Sequence, residues 1–164
     1  MRISLKPTRL LPFMAHVDHR RDRDRTIRER LTERGIRFTA GRRAVIQELG
    51  RAAGPVTVAH LGEVLAGRVP VSSLYRTLTV LDGAGVVETH HGPGGVARFE
   101  LAEWLSGHHH HVTCVECGLM EDVALTDDQE RALERIAGTS RLPEGFVAGG
   151  HTLDIQGRCG RCAR

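Results

Sequence analysis

The sequence predicts an α+β chain built from two units, an N-terminal winged helix-turn-helix and a small C-terminal α/β unit with a four-cysteine zinc site. Three observations support this prediction. Helical periodicity gives way to two strand-like runs within the first half, the charge changes sign between the halves, and all 4 cysteines lie in the second half. The expected boundaries are a flexible basic arm at 1–20, the winged-helix unit at 21–101, a hinge at 102–107 and the metal-binding unit at 108–164.

The first half contains apolar residues that recur every three or four positions, as in amphipathic helices. Four helices are therefore predicted, at 24–34, from the N-cap Thr39 to about Gly50, from the N-cap Thr57 past Leu65, and from Pro70 and Ser72 to about Gly83. The apolar residues expected to face the core are Ile27, Leu31, Val45, Ile46, Leu49, Val58, Leu61, Leu65, Leu74, Leu78, Val80 and Leu81.

Strand-like runs follow the fourth helix. Val86–His90 and Val96–Leu101 flank the sequence Gly-Pro-Gly-Gly at 92–95, a pattern typical of a β-hairpin. Helices followed by a hairpin indicate a winged helix-turn-helix whose fourth helix is placed to read DNA. The elements predicted in the second half are strands at His111–Val115 and Leu119–Ala124, a helix from the N-cap Thr126 to Ala137, and a strand from about Phe146 to Gln156.

Charge is distributed unevenly along the chain. Residues 1–100 contain 17 Lys/Arg against 10 Asp/Glu, whereas residues 101–164 contain 6 against 10. A basic first half suits a polyanionic partner such as DNA, although a solvated charged face would look the same. No apolar run approaches the roughly 18 residues of a membrane helix, and none near the N-terminus resembles a signal peptide, so we expect a cytoplasmic protein without a membrane partner.

The cysteines form two C-x-x-C pairs, Cys114-Val-Glu-Cys117 and Cys159-Gly-Arg-Cys162. Two intervening residues allow both sulfurs of a pair to face one ion, and two pairs complete the tetrahedron that Zn²⁺ prefers in structural sites. A redox pair or disulfides are the alternatives. In a reducing cytoplasm, metal binding is the favoured interpretation.

Four consecutive histidines, His108 to His111, precede the first cysteine pair. In a strand, alternate side chains face opposite ways, so His109 and His111 form one candidate ligand pair and His108 and His110 another. A surface low-complexity run is the alternative interpretation. Acids and further histidines elsewhere favour a metal, and nitrogen and oxygen ligands suit Zn²⁺, Fe²⁺, Mn²⁺ or Ni²⁺ without selecting among them.

Taken together, these features resemble the ferric uptake regulator (Fur) family of bacterial metal-responsive repressors. The resemblance covers about Ile36 to Cys162. The matching segments are Arg37-Phe-Thr-Ala-Gly-Arg42, Ser73-Leu-Tyr-Arg-Thr-Leu78, Ala84-Gly-Val-Val87, Phe99-Glu-Leu, His108–His111 ahead of Cys114, Cys117-Gly118, and His151 leading to Gly157-Arg-Cys-Gly-Arg-Cys162.

The resemblance implies a homodimer, joined through its C-terminal unit, that binds double-stranded operator DNA when a sensory metal is present. The protein is therefore not expected to be an enzyme. The residues that the resemblance places against DNA are Arg42, Ser72, Ser73, Tyr75 and Arg76. Guanidinium groups suit phosphates and guanine edges, and a tyrosine ring suits a thymine methyl, although Tyr75 could instead be a core aromatic.

The resemblance also implies two metal sites besides the structural zinc. The regulatory site at the hinge maps to Glu100, His109 and His111, with His90 or Glu88 of the first wing strand as the residue that would complete the set. The second site maps to His108, His110, Glu130 and His151.

The chain departs from the family pattern at two positions that bear on the metal. Pro55 stands where iron and peroxide sensors usually have a histidine, and Ala102 lies near the place where zinc sensors often have a cysteine. Zinc is ranked first as the sensory ion, as in the family's zinc uptake regulator (Zur) branch, with ferrous iron next. A peroxide sensor is a further alternative, because Asp122 matches one of its acidic ligands. Outside the family, a zinc hydrolase lacks an H-E-x-x-H signature, and a zinc-ribbon adaptor for proteins is the remaining alternative.

Overall fold

A computed structural model describes residues 19–139 and 141–164, with side chains described for 22–138 and 141–164. Most of the predicted arm at 1–20 therefore lies outside the described residues. The elements are α1 (His19–Glu33), α2 (Ala40–Leu49), α3 (Val58–Val64), α4 (Val71–Gly83), β1 (Val87–His91), β2 (Ala97–Leu101), α5 (Glu103–Ser106), β3 (His110–Cys114), β4 (Met120–Val123), α6 (Asp127–Thr139) and β5 (Asp154–Gly157).

Side-chain caps fix where the helices begin. The Thr39 hydroxyl accepts the Arg42 amide at 3.3 Å, and the Thr57 hydroxyl accepts the His60 amide at 3.2 Å, so both predicted N-caps are confirmed. In α1 the prediction was wrong by five residues, because the helix begins at His19 rather than at position 24. Its early acidic residue, Asp22, complements the positive end of the helix dipole.

The main hydrophobic core lies between the four helices and the wing strands. Leucine, isoleucine and valine side chains fill it, as the low aromatic content of 4% requires. Of the predicted core residues, only Val80 is half-exposed rather than buried, since Leu78 and Leu81 already occupy the inner face of α4. The buried residues of this core are Ile27, Leu31, Val45, Ile46, Leu49, Val58, Leu61, Leu65, Val69, Leu74, Leu78, Leu81, Ala84, Val86, Val87 and Leu101.

The predicted hairpin is present. Strands β1 and β2 pair antiparallel, with Val87 opposite Leu101 and Glu88 opposite Glu100. A 3₁₀ turn at Pro93–Gly95 joins them, and Val56 adds a short bridge to Phe99. This wing places the end of β2 beside the C-terminal unit.

The C-terminal unit has a three-stranded sheet in the order β4-β3-β5, antiparallel between β3 and β4 and parallel between β3 and β5. At the start of α6, Thr126 and Gln129 form a reciprocal capping box, at 2.9 and 3.4 Å. The predicted strand from Phe146 is wrong over most of its length, because only 154–157 pairs with β3. Phe146 is 59% exposed and glycines interrupt the segment, which leaves it no sheet face to bury.

The predicted hinge at 102–107 is not an extended linker, since α5 occupies most of it. The Trp104 indole N–H donates to the carbonyl of Gly85 at 2.7 Å, just past the end of α4, and the Arg30 guanidinium lies 5.0 Å from its ring. The segment between the two units is thus attached to the helical unit.

A second contact joins the units through backbone atoms. The Asp122 amide in β4 donates to the carbonyl of Ala53 at 3.0 Å, in the loop between α2 and α3. A Cβ on Gly54 would lie 2.7 Å from Cα of Glu121, so the two backbones approach as closely as glycine permits. Within the described residues, no helix has the length and apolar character needed to span a bilayer.

Candidate functional sites

The structure brings the four cysteines together at one end of the C-terminal sheet. Cys114 ends β3, Cys117 lies in the turn to β4, and Cys159 and Cys162 follow β5. The four sulfurs lie within 4.8 Å of one another, with Cys117 Sγ 3.7 Å from Cys159 Sγ. We call this group the cysteine cluster.

Backbone amides favour thiolates in the cysteine cluster. Amides of Cys117 and Cys159 lower the pKa of the Cys114 thiol to about 6, and the Cys159 amide lies 3.3 Å from Cys114 Sγ. Hydrogen bonds that the Cys162 thiol donates to the sulfurs of Cys159 and Cys117 stabilise its protonated form and raise the pKa of Cys162 to about 12. Four converging sulfurs, some of them thiolates at neutral pH, fit a closed zinc site.

A second group, here called the hinge cluster, joins the wing to the C-terminal unit. Glu100 comes from β2, His109 immediately precedes β3, His111 lies within β3, and Asp122 comes from β4 opposite His111. Glu100 Oε2 lies 3.1 Å from His109 Nε2 and 3.3 Å from His111 Nε2. Asp122 Oδ1 lies 3.9 and 3.7 Å from the same two nitrogens.

The proton position on His109 fits a metal in the hinge cluster. Its Nδ1 lies 2.8 Å from the carbonyl of Gly107, which only accepts, so Nδ1 carries the proton. In the neutral ring, Nε2 then presents a lone pair toward the Glu100 carboxylate. Two acceptors face each other unless the ring is doubly protonated or a cation lies between them. Metal-binding histidines commonly donate their other N–H to a carbonyl in this way.

Glu100 is charged despite being only 7% exposed. Burial would raise the pKa of its carboxyl, but contact with His90 and the charges of the neighbouring histidines outweigh burial and lower that pKa overall. Burial would likewise lower the pKa of His109, but its bonds to Gly107 and Glu100 raise it overall. The cluster therefore holds a carboxylate that requires positive charge beside it.

The wing carries a third group, the wing triad, formed by Glu88, His90 and Glu100, whose ligand atoms also lie within 4.8 Å of one another. His90 Nε2 lies 2.6 Å from Glu100 Oε1, and this contact raises the pKa of His90. Glu88 Oε1 accepts the amide of Glu103 at 3.3 Å. The predicted regulatory set is therefore divided between two groups that share Glu100.

A fourth group corresponds to the second metal site that the resemblance implied, and we call it the second cluster. Its ligand atoms lie within 4.8 Å of one another and come from His108, His110, Glu130 and His151. His151 Nε2 lies 3.3 Å from Glu130 Oε2 and His110 Nε2 lies 3.2 Å from Glu130 Oε1. His110 differs from His109, because its Nδ1 accepts the amide of Leu153 at 3.1 Å. The neutral His110 ring therefore carries its proton on Nε2 and donates it to Glu130.

Helix α4 exposes the residues predicted to contact DNA. Ser72, Ser73, Tyr75 and Arg76 all lie on its solvent side, with Tyr75 61% exposed, while Leu74 faces the core. The core-aromatic alternative for Tyr75 is therefore wrong. Arg42, in the first turn of α2, is half-buried, and its guanidinium contacts the carbonyl of Arg37.

Two acidic residues that lie beside the histidines of these clusters, Asp122 and Glu103, are absent from the predicted ligand sets. Asp122 had been noted only as a match to peroxide sensors, and its pairing opposite His111 depends on the β3–β4 register. The Glu103 carboxylate contacts His108 Nδ1 from α5, a helix that the sequence did not predict. Ala102, near the expected cysteine position of zinc sensors, is buried at 2% exposure and offers no ligand.

Comparison with known proteins gives consistent matches. A sequence model described as the Ferric uptake regulator family matches residues 33–148. The Ferric uptake regulation protein of Legionella pneumophila is 32% identical over 96 residues, covering 57% of this chain and 64% of that protein. The Peroxide operon regulator of Bacillus subtilis (strain 168) is 26% identical over 139 residues, covering 83% of this chain and 90% of that protein.

Among solved structures, the ferric uptake regulator of Vibrio cholerae is similar at a TM-score of 0.60 and 25% identity, covering 80% of this chain and 98% of that chain. It is described as showing a structural rearrangement of its DNA-binding domains. The chain spans less than two thirds of the length of the Legionella protein, at 64%. The range matched by the family, 33–148, contains α4 and the hinge cluster but ends before His151, Cys159 and Cys162.

Proposed function

Because the chain belongs to the ferric uptake regulator family, we propose that it is a transcriptional repressor that binds operator DNA as a homodimer when a metal ion occupies the hinge cluster. The observation that carries this proposal is the composition of that cluster. Glu100 belongs to the wing, whereas His109, His111 and Asp122 belong to the C-terminal unit. Because members of this family are regulators, the hydrolase alternative loses its support.

Metal binding at the hinge cluster would change the relative position of the two units. An ion held by Glu100, His109, His111 and Asp122 would link β2 to β3 and β4, and would relieve the contact between the His109 lone pair and the carboxylate. Without the ion, the two units are joined by α5 and the backbone contact at Ala53. The ion would then favour the arrangement in which two recognition helices match successive major grooves.

The surface of α4 suits the proposed DNA contact. Tyr75 and Arg76 project from the helix together with the hydroxyls of Ser72 and Ser73, and Leu74 anchors the same turn in the core. Arg42 lies at the start of α2, where it would contact the phosphate backbone. Hydroxyl and guanidinium groups position a helix on phosphates, whereas side chains that reach base edges give specificity.

Exposed apolar side chains support the homodimer. Ile155, in the edge strand β5 of the C-terminal sheet, is 46% exposed, and Phe146 and Val147, in the segment that leads to β5, are 59% and 88% exposed. A shallow groove of about 550 Å³ adjoins Ile155 and the cysteine cluster. A second copy of the chain would cover this apolar surface and the open strand edge.

The ion proposed for the cysteine cluster is structural Zn²⁺, because four sulfurs leave no open position. For the hinge cluster we propose Zn²⁺, with Fe²⁺ as the alternative, since two histidines and two carboxylates accept either ion. The names of the matched relatives refer to iron and to peroxide and leave this choice open. The proposed site of action is the cytoplasm, where operator DNA lies.

The test is a DNA-binding titration with each metal. Duplexes selected from a random library would be labelled, and Kd measured by fluorescence anisotropy with Zn²⁺, Fe²⁺ or Mn²⁺, or with a chelator too weak to remove the cysteine-bound ion. We expect the sensory metal to tighten binding about 5- to 150-fold, the usual range of coupling between two sites. Equal affinity in all conditions would contradict the proposal.

Substitution of hinge-cluster ligands tests whether the effect of metal on DNA affinity depends on this cluster. Changing both His109 and His111 to Asn should abolish the effect of the metal on Kd and leave the cysteine-bound zinc in place. The matched control is His60→Asn, at an exposed histidine of α3 that belongs to none of the four groups of candidate ligands. The control should keep the full ratio of affinities with and without metal.

A further inference from the structure

We propose that the hinge region holds two adjacent divalent cations, one in the hinge cluster and one in the wing triad, with the Glu100 carboxylate bridging them. This inference rests on the proposed metal role of the hinge cluster and adds a separate ion position to it. The added position would take Zn²⁺ or another ion that accepts nitrogen and oxygen ligands.

The wing brings two acidic side chains next to each other. Glu88 and Glu100 are directly opposite in the antiparallel β1–β2 pair, on the same face of the wing. Like charges directly opposite each other destabilise a sheet. Glu100 is only 7% exposed, so water screens repulsion between the two carboxylates poorly. A cation between the two carboxylates would remove it.

His90 lies on the same face as this pair, two residues along β1 from Glu88. Its Nε2 is buried, and it has no hydrogen bond of acceptable geometry within the described structure, although Glu100 Oε1 is 2.6 Å away. A buried ring nitrogen that lies 2.6 Å from a carboxylate oxygen without a hydrogen bond suits two ligands of one ion. The triad thus supplies one nitrogen and two carboxylates.

The two oxygens of Glu100 face different partners. Oε1 lies beside His90, and Oε2 lies 3.1 Å from His109 and 3.3 Å from His111. The candidate ligand atoms form two compact sets that share only Glu100. Ligands of one zinc ion lie about 2.0–2.2 Å from it, which limits their spacing to about 4.4 Å. Because the two sets share only Glu100, one ion on each side of its carboxylate fits them better than a single ion that would have to contact both sets.

The two positions differ in what they connect. Every ligand of the triad belongs to the wing, whereas the hinge cluster spans both units. An ion in the triad would bind without closing the hinge, and would hold Glu100 with Oε2 directed at His109 and His111. The triad ion would thus orient the Glu100 carboxylate for the hinge ion. Metal would bind in two steps, first at the triad and then at the hinge cluster, and DNA affinity would respond to the second step.

Zinc stoichiometry tests this proposal. Full-length protein that retains its cysteine-bound zinc would be dialysed against buffered free Zn²⁺, and bound zinc counted per protomer by mass spectrometry of the native protein. Relative to wild type, we expect His90→Asn to lose one ion, His109→Asn to lose one ion, and Glu100→Gln to lose two. The matched control, His91→Asn, changes the next residue of β1, which faces the other way, and should lose none.

Electron paramagnetic resonance gives a second readout. With Mn²⁺ in place of Zn²⁺, two ions bridged by a carboxylate should give an exchange-coupled spectrum, which should become that of isolated ions in both His90→Asn and His109→Asn. Circular dichroism melting would identify a variant that fails to fold, and His90→Gln would then replace His90→Asn.

The possible outcomes separate this proposal from the proposed function. If His90→Asn binds as much zinc as wild type, or if all three variants lose the same single ion, the second cation does not exist and His90 is a protonated partner of the carboxylates or a ligand of the hinge ion. If the zinc counts are as expected but DNA affinity ignores metal, the regulatory proposal fails and the paired ions remain.

Discussion

Neighbouring histidines of the cluster differ in which ring nitrogen carries the proton. His109 Nδ1 donates to the carbonyl of Gly107, which leaves Nε2 free as a ligand. His110 Nδ1 accepts the amide of Leu153, which places the proton on Nε2, toward Glu130. The two rings have the same chemistry, but only His109 presents a lone pair into its cluster. The backbone around each ring therefore suits His109 to bind a metal and His110 to support a ligand.

In the second cluster, His110 and His151 are expected to contribute differently to zinc binding. If this cluster binds zinc, as the resemblance to the family implies, His110→Asn should keep the ion, because the amide oxygen replaces Nδ1 as acceptor for Leu153 and only an outer hydrogen bond to Glu130 is lost. Zinc affinity should fall about tenfold, the lower end for such outer-shell changes. His151→Asn removes a direct ligand and should abolish binding at this cluster. The measurement is zinc competition with a chromophoric chelator. Equal losses in the two variants would show that His110 binds the ion directly.

At the scale of elements, the loop between α2 and α3 rests on β4 through main-chain atoms. The carbonyl of Ala53 accepts the amide of Asp122 at 3.0 Å, and the Asp122 carboxylate belongs to the hinge cluster. One residue therefore contacts the helical unit through its amide and the proposed ion through its side chain. An ion that repositions Asp122 would move this contact directly.

Gly54→Ala tests this contact. The new Cβ would lie 2.7 Å from Cα of Glu121 and 2.8 Å from the carbonyl oxygen of Met120, and backbone atoms cannot turn aside as side chains do. We expect the loop and β4 to separate, and metal-loaded DNA affinity to fall at least tenfold, about 1.4 kcal/mol. The metal-free affinity should change little. Anisotropy titrations with and without zinc measure both.

The control for this variant is Gly138→Ala in α6, where an added Cβ meets nothing within 4 Å. It should raise stability slightly and leave DNA affinity unchanged. If Gly54→Ala behaves like the control, the contact has no part in the response to metal.

Local chemistry explains which elements the sequence predicted. Thr39 and Thr57 act as caps through hydrogen bonds to residues three positions later, so a short window of sequence contains the whole signal. Strand β5 depends on β3 as its partner, and only 154–157 finds one. The apolar residues at 146–147 matched a strand pattern, yet Val147 is 88% exposed. Pairing between distant segments was not visible in the local pattern.

The metal-ligand clusters also combine features that are local in the sequence with features that depend on pairing between distant segments. Alternation along a strand was enough to separate His109 and His111 from His108 and His110, and the structure places the two pairs in different clusters. Asp122 reaches the hinge cluster only through the register of β4 against β3, which no spacing in the sequence specifies. Proton positions on the rings depend on carbonyls and amides that tertiary structure supplies.

At the scale of the whole molecule, the two units differ in how they are stabilised. The main core is formed by residues between Ile27 and Leu101, inside the winged-helix unit. In the described part of 108–164, the buried apolar residues are only Cys114 and Met120. A unit of this size with so few buried apolar side chains needs another source of stability, such as a metal or a partner subunit.

The cysteine cluster is placed to supply that stability. Cys114 ends β3 and Cys159 follows β5, so an ion there would fasten the two parallel strands at their ends, beside the Cys114–Gly157 pair. Structural zinc contributes about 10–16 kcal/mol in small zinc domains, as much as the whole stability of an ordinary domain. Removing the ion should therefore unfold the C-terminal unit while the winged-helix unit, with its own core, remains folded.

Cys159→Ser, or complete zinc removal with a strong chelator, tests this expectation. Thermal melting followed by circular dichroism should show most of the helical signal melting near the wild-type temperature, because α1 to α4 keep their core. Limited proteolysis should cut freely beyond α5. Light scattering should report monomers, because β5 and the exposed apolar residues before it would no longer be held in place to contact a second copy. His109→Asn, which leaves the cysteines intact, is the control and should remain a protease-resistant dimer. A zinc-free protein that stays dimeric and resists proteolysis beyond α5 would show that the C-terminal unit folds without its metal, and the stabilising role of the cysteine cluster would have to be abandoned.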